Sequence, residues 1–227
     1  MVPSAILQRV LYIRIGNRTG TAFAVEVGGR QYAITAKHLL PASKKPFTLM
    51  VSHEGDWKSM GEVMAMSAEP DEVDIAVLAA KTQLSPLTEI ALGGETDPFL
   101  SEEVYFLGFP FGFQIESSHL NNGFPVPFVK RGITAGFEGW DARQRIILDA
   151  MNNHGMSGGP VICMRDRTPM VVGVVSDFEF ETRNVTDRGA KTSLTVTVNS
   201  GLASAYPIAR AIEAIEREPI GFAVGKS

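Results

Sequence analysis

Short runs in which every second side chain is apolar recur along most of this chain. In Phe23-Ala-Val-Glu-Val27 the bulky apolar groups fall on alternate residues, which is the period of a half-buried β-strand. Read this way, residues Ala5–Ile15, Thr21–Val27, Arg30–Ala36, Phe47–Ser52, Glu62–Ser67 and Asp74–Ala80 form one set of strands. Gly28-Gly29 lies between two of them and signals a two-residue hairpin. From Lys81 to Leu100 the alternation is lost, and Ser85-Pro86, Gly93-Gly94 and Asp97-Pro98 mark a connector. The pattern then resumes in Val104–Phe109, Phe128–Phe137, Arg145–Asp149, Gly159–Met164, Met170–Phe178 and Ser193–Asn199. Two sets of short strands around a connector predict paired small barrels rather than one long sandwich. Only the end changes period. Ile208, Ile212 and Ile215 share one side of a predicted helix that Pro207 opens, with Arg210, Glu213 and Arg217 on its other faces.

Composition narrows the classes of function. The 227 residues carry 21 Lys and Arg against 25 Asp and Glu, a net charge of −4, with no basic block to follow a phosphate backbone. Nucleic acid is therefore not an expected partner. Apolar runs are strand-length and no continuous apolar leader opens the chain, so neither a membrane span nor a secretory signal is expected. The single cysteine, Cys163, excludes an intramolecular disulfide framework and fits a reducing, cytoplasmic setting. Its apolar surroundings suggest a small buried side chain rather than a reactive thiol.

The chemistry concentrates in Asp149-Ala-Met-Asn-Asn-His-Gly-Met-Ser-Gly-Gly-Pro-Val161. A serine nucleophile needs backbone that bends sharply around it. Gly155 allows two N–H groups to converge on one point, and Gly158 and Gly159 permit close approach. A hydroxyl also needs a base, and the base needs an orienting group. Of the four histidines, His53 falls in a polar turn and His119 in a long loop, while His154 lies too near Ser157 along the chain to reach beneath it. His38 ends Tyr32-Ala-Ile-Thr-Ala-Lys-His38, where a buried strand gives out, and is the candidate base. Asp74 is the last charge before the apolar strand Ile75-Ala-Val-Leu78, so it is carried inward and is the candidate orienting carboxylate.

The order His38, Asp74, Ser157 in these contexts resembles the trypsin-like serine proteases, and within them the bacterial HtrA/Deg branch. Thr35-Ala-Lys-His38 matches that family's Thr-Ala-x-His, Asp74–Leu78 its Asp-(Ile/Leu)-Ala-Val-Leu, and Gly155 to Pro160 its Gly-Asn-Ser-Gly-Gly-Pro. Leu107-Gly-Phe-Pro-Phe-Gly112 and Arg131-Gly-Ile-Thr-Ala-Gly136 are similar to two further segments. Met156 stands where the family has Asn or Asp, and its side chain is expected to point away from the line of attack. His154 stands where the family has proline.

The resemblance implies an all-β fold of two orthogonal six-stranded barrels with a C-terminal α-helix. Residues 1–90 would carry His38 and Asp74, and residues 91–227 would carry Ser157 and the helix. It implies a serine endopeptidase acting through an acyl-enzyme, with His38, Asp74 and Ser157 catalytic and the N–H groups of Gly155 and Ser157 as the oxyanion hole. No cofactor or metal enters that mechanism. The resemblance also puts Met151 at the base of the pocket for the side chain before the scissile bond, and pairs Ser176, Asp177 and Phe178 with the substrate backbone. A small or medium aliphatic residue is then the expected preference. No PDZ domain follows the helix within these residues. The Phe-rich stretch from Phe109 to Phe128 reads as a gate, an assembly surface or a lid. Two rival readings stay open. One is a trypsin-fold module that only binds peptides, and the other is a latent protease awaiting a partner protein.

Overall fold

The computed structural model describes residues 2–43, 45–88, 90–115 and 121–225; the side chains of Phe178 and Lys191 lie outside the described set, as does His119. A one-turn helix, α1 (Ser4–Leu7), leads into β1 (Val10–Ile15), β2 (Arg18–Val27) and β3 (Arg30–Thr35). A single 3-10 turn, Lys37–Leu39, then precedes β4 (Phe47–His53), β5 (Asp56–Ser67) and β6 (Ala76–Ala79). The connector contributes β7 (Ala91–Leu92). After it come β8 (Glu103–Gly108), β9 (Phe128–Glu138), β10 (Arg145–Asp149), β11 (Pro160–Arg165), β12 (Thr168–Asp187) and β13 (Ala190–Pro207). Helix α2 (Ala209–Arg217) and β14 (Phe222–Ala223) end the described chain.

Both sheets close on themselves. In the first, β3-β2-β1-β4-β5-β6 are neighbours in that order and β6 returns to β3. In the second, β11-β8-β9-β10-β13-β12 are neighbours and β12 returns to β11. Each is thus a six-stranded barrel with one strand added at its rim, β14 on β3 and β7 on β12. The predicted hairpin at Gly28-Gly29 is present, with Val27 opposite Arg30.

The period of two does more than separate core from solvent, because strands such as β1, β3 and β6 are buried on both sides. Along β1, Leu11, Ile13 and Ile15 fill the first barrel together with the small Ala22, Ala24 and Ala33. Their neighbours Val10 and Tyr12 turn the other way, into a second core with Phe23, Val25, Tyr32 and Ile34. That second core also takes Leu107, Phe109, Val174 and Tyr206 from the other barrel, Ile208 at the start of α2, and Ala211, Ala214 and Ile215 from the helix itself. The helix therefore seals the seam between the barrels, but through Ala211, Ala214 and Ile215 rather than through the expected Ile212, which is only half-buried. Arg210, expected on another face, is buried. A third cluster, with Phe106, Ile146, Leu148, Val161 and Cys163, fills the second barrel. Cys163 is buried, and burial pushes its thiol up to about 12. Among the described residues no helix is long and apolar enough to cross a membrane.

Three local expectations are corrected. Ala5–Ile15 is not one strand: the chain turns through α1 first, which lets Arg9 enter the core and pair with Glu26 at 2.6 Å. The tail after α2, for which the sequence pattern predicts no element, crosses back as β14 onto β3, and Arg30 donates to the Gly221 carbonyl at 2.7 Å. The last strands are also far longer than their hydrophobic pattern suggests, since β12 and β13 run on together as far as Asp187 and Ala190.

Candidate active site

His38 sits in the 3-10 turn directly after β3, whose residues Gln31 to Thr35 are all buried. The Arg18 guanidinium holds the end of that turn by donating to the carbonyls of His38 at 2.6 Å and Leu40 at 2.8 Å. Asp74 lies just before β6, in the same barrel, and binds His38 twice. Its Oδ1 accepts the His38 backbone N–H at 2.8 Å, and its Oδ2 lies 2.8 Å from His38 Nδ1. The same Oδ2 accepts the Ser176 hydroxyl at 2.5 Å, so the second barrel completes the carboxylate's shell.

Each of these contacts has an electrostatic consequence. The hydrogen bond to Asp74 raises the His38 pKa above its ordinary 6.5, helped by the charges of Asp74 and Asp177 and opposed by burial and Arg18. Burial alone would raise the Asp74 carboxyl. The hydrogen bonds from His38 and Ser176 outweigh it and hold the group below its ordinary 3.8. The pair is therefore arranged as a carboxylate facing an imidazole that readily holds a second proton.

The serine turn belongs to the second barrel and docks on the first. The Thr21 N–H donates to the Ser157 carbonyl at 3.0 Å, and the Thr21 hydroxyl donates to the Gly155 carbonyl at 2.7 Å. Gly158 has φ +85°, and a Cβ there would stand 2.1 Å from the Thr21 carbonyl oxygen and 2.8 Å from the Ala36 nitrogen. Only glycine fits, and the contact shows that the Ser157 turn rests against the segment leading to His38. Gly158 also donates to the Val175 carbonyl at 2.7 Å, next to the Ser176 that holds Asp74. The three predicted residues are thus held in one chain of contacts. Its last link is open: among the described residues the Ser157 hydroxyl makes no hydrogen bond, to His38 or to anything else.

Gly155 shows the same tightness at φ +92°, with a Cβ excluded by the Phe109 carbonyl at 2.2 Å. The His154 carbonyl accepts the Phe111 N–H at 2.6 Å. A trans peptide holds its C=O and N–H on opposite sides, so this bond turns the Gly155 N–H away from Phe111. Neither that N–H nor that of Ser157 has an acceptor among the described residues. The Met156 side chain lies in the core of the second barrel, away from the hydroxyl as expected.

Met151 is 53 % exposed, and its carbonyl accepts the Lys130 ammonium at 2.5 Å. Lys130 also donates to Asn153 Oδ1, and burial lowers its pKa. Buried Asn152 donates to the Asp177 carbonyl at 3.2 Å, tying the approach to Ser157 against β12. Lys130 and Asn152 carry no local signal in the sequence, and their part emerges only when β9 and β12 flank the loop. His53 is placed elsewhere, against the Asn122 carbonyl at 3.0 Å. A cavity of about 1010 Å³ opens beside His38 and is lined by Arg18, Lys37, Glu69, Asp71 and Arg217 among others. Neither Ser157 nor Met151 borders it, so it is not the groove into which the serine faces. Among the described residues there is no cluster of His, Cys, Asp and Glu suited to a metal ion.

Comparison with known proteins gives a consistent fold. The family model for the trypsin-like peptidase domain matches residues 20–174. Among solved structures, the inactive form of the Rv3671c protease superposes with a TM-score of 0.58 at 17% identity, covering 94% of this chain and 90% of that one. A Ser-to-Ala mutant of Rv3671c from M. tuberculosis H37Rv gives 0.58 and 17%, with 94% and 88% covered. The HtrA-type protease AlgW with a tripeptide gives 0.59 at 18%, covering 96% of this chain but 62% of that one. No curated protein matches the sequence significantly.

Proposed function

Because the chain belongs to the trypsin-like peptidase domain family, we propose that it is a serine endopeptidase whose catalytic residues are Ser157, His38 and Asp74. The observation that carries this reading is the Asp74 carboxylate, which holds His38 by two hydrogen bonds from one barrel while Ser176 binds it from the other. A carboxylate on Nδ1 fixes the proton there and leaves Nε2 as the acceptor. Ser157 Oγ then attacks a peptide carbonyl carbon as its proton passes to Nε2. Collapse of the tetrahedral adduct breaks the C–N bond, and His38 returns the proton to the departing amine. Water repeats the sequence on the acyl-enzyme and restores Ser157.

The unengaged N–H groups of Gly155 and Ser157 receive the negative oxygen of the adduct. One such donor is typically worth about 3 kcal/mol of barrier. Ser176 to Phe178 pair with the substrate backbone, and Met151, without a carboxylate to attract Lys or Arg, favours aliphatic side chains before the scissile bond. The buried lone cysteine supports a cytoplasmic setting. The likeness to HtrA-type proteases supports protein substrates of the same broad class.

Digestion of β-casein, an unfolded protein, tests the reading. The parent protein should cleave it, and Ser157→Ala should not. Equal cleavage by both would refute it. A second reading, a latent peptidase that needs a partner to align its site, is favoured by one observation: the Ser157 hydroxyl is not bonded to His38. Catalytic hydrogen bonds commonly tighten only on binding substrate. Under the second reading casein is cleaved only after an activating protein is added.

A further inference from the structure

Lys130 lies on β9 between Val129 and Arg131, which are both exposed, but its own side chain is half-buried. The ammonium donates to the Met151 carbonyl at 2.5 Å and to Asn153 Oδ1. Its neighbour Arg131 pairs with the Glu103 carboxylate, whereas Lys130 has no carboxylate partner among the described residues. Burial lowers its pKa, and no negative charge offsets that effect. A cation drawn out of water without a counter-ion is unfavourable unless its N–H groups find oxygens. Here both oxygens belong to one three-residue segment. Hydrogen bonds from a charged donor are roughly twice as strong as neutral ones, so the ammonium holds that segment more firmly than an amide would. For the stability of the barrel alone, an apolar side chain of the same length would serve as well.

The segment held in this way leads directly to the serine. β10 ends at Asp149, and Met151 to Asn153 follow it. The Asn153 carbonyl accepts the Met156 N–H at 3.2 Å, so Asn153 opens the tight turn that carries Gly155, with Ser157 next. The far end of that turn is fixed by Thr21, which donates to the Ser157 carbonyl, and by Gly158, which donates to the Val175 carbonyl. The near end hangs on side chains. Asn152 donates to the Asp177 carbonyl and accepts the Asn153 N–H, and Asn199 donates to the Asn152 carbonyl at 2.6 Å. Those bonds settle Asn152. Lys130 spans it, binding the residue before and the residue after, and is the one charged group in the set.

We infer that Lys130 is a positioning residue for the oxyanion hole. By clamping Met151 and Asn153 it fixes the start of the turn from which the Gly155 and Ser157 N–H groups converge on one point. This rests on the peptidase reading and deepens it by adding a residue that no motif announces. Lys130 acts through that turn and takes no part in the proton transfers. Donors aimed at an oxyanion act only once the charge has formed, so their misplacement raises the barrier without weakening the substrate complex. A displacement near 1 Å is enough to cost about a hundredfold. The signature of Lys130 is therefore a fall in kcat at unchanged KM.

The test uses the full chain and an internally quenched peptide copied from one cleavage site mapped in β-casein. Lys130→Met nearly keeps the length of the side chain and removes its charge. Its kcat should fall by roughly tenfold to a hundredfold, with KM within twofold of the parent and native-like near-UV circular dichroism. Lys130→Cys should behave alike. Alkylating the new thiol with 2-bromoethylamine forms a C–S bond with loss of bromide and the thiol proton, and rebuilds an ammonium at the reach of lysine. Cys163, the other thiol, is buried. The kcat should then return to within threefold of the parent. Asn153→Ala approaches the same contact from its other side and should show the same loss in kcat alone, so the inference does not hang on the folding of one variant. An unchanged kcat in the variants, or a kcat that aminoethylation fails to restore, would overturn it. A loss confined to KM would also overturn it, and would make Lys130 a substrate-binding group instead. If the parent cleaves neither the peptide nor casein, the peptidase reading itself fails and this inference falls with it.

Discussion

Replacing Asp74 by Asn separates the role of charge and proton placement from that of shape. The carboxylate accepts three hydrogen bonds, from the His38 backbone N–H, from His38 Nδ1 and from the Ser176 hydroxyl. The asparagine side chain has one acceptor and one donor end. The backbone N–H of His38 can only donate, so it claims the amide oxygen. The amide NH₂ is left facing Nδ1 and Ser176. Ser176 adjusts by turning its hydroxyl into an acceptor. His38 adjusts only by moving its proton to Nε2, the atom that has to accept from Ser157. Locking the base in the wrong tautomer in such an arrangement costs about ten-thousandfold in kcat, or about 5.5 kcal/mol at 1.36 kcal/mol per tenfold. The fold should persist, because the amide occupies the same space with its contacts retained. The assay is casein hydrolysis by Asp74→Asn beside the parent, with near-UV circular dichroism to confirm packing. Native-like packing with activity within tenfold of the parent would refute the assignment of Asp74 as the group that orients His38.

The same contact sets a pH dependence, and the C-terminal strand sets a dependence on chain length. The Asp74 hydrogen bond raises His38, so the acid limb of kcat/KM should have its midpoint above 6.5, and a midpoint below that value would contradict the ion-pair geometry. For stability the signs are opposite: the His38 contribution is fully present below 6.5 and fades as pH rises through its raised value, whereas that of Asp74 is present above 3.8 and fades as pH falls through its lowered value. Ending the chain at Glu218 removes β14 with its pairing to Gln31 and Arg30 and the bonds at Gly221 and Val224. At about 1 kcal/mol per hydrogen bond the loss is roughly 3 kcal/mol. The melting temperature should fall by roughly 5–10 °C, and a change too small to measure would show that β14 does not strap the first barrel.

The barrels were legible because a strand buried on both sides leaves a dense apolar record. Ala76–Ala79 and Val161–Cys163 advertise themselves, and so does the turn at Gly28-Gly29. The sequence also pointed to His38 and Asp74, since each stands where a buried strand meets a turn, and the structure joins them as expected. The paired extension of β12 and β13 from Phe178 to Asn199 was largely hidden for the converse reason. With no face covered, Glu, Thr, Asn and Arg stand on both sides of it, and alternation cannot appear. Only Thr195-Val-Thr-Val198 betrayed it. Ser176 was expected to meet substrate through its backbone, and nothing nearby in sequence announces that its hydroxyl binds Asp74. Lys130 and Asn152 were invisible for the same reason: their partners are brought to them by β9 and β12. α1 was missed because a single turn within an apolar run keeps the strand-like pattern on either side.

The central claim is that His38 makes the Ser157 hydroxyl a nucleophile, and its reactivity can be measured without knowing any substrate. The purified protein is treated with a fluorophosphonate probe and the modified residue is located by mass spectrometry of the digested chain. The account predicts one adduct per chain on Ser157 and a large loss of labelling in His38→Ala. Labelling that leaves Ser157 untouched in protein shown to cleave casein, or labelling of Ser157 at an equal rate without His38, would contradict it.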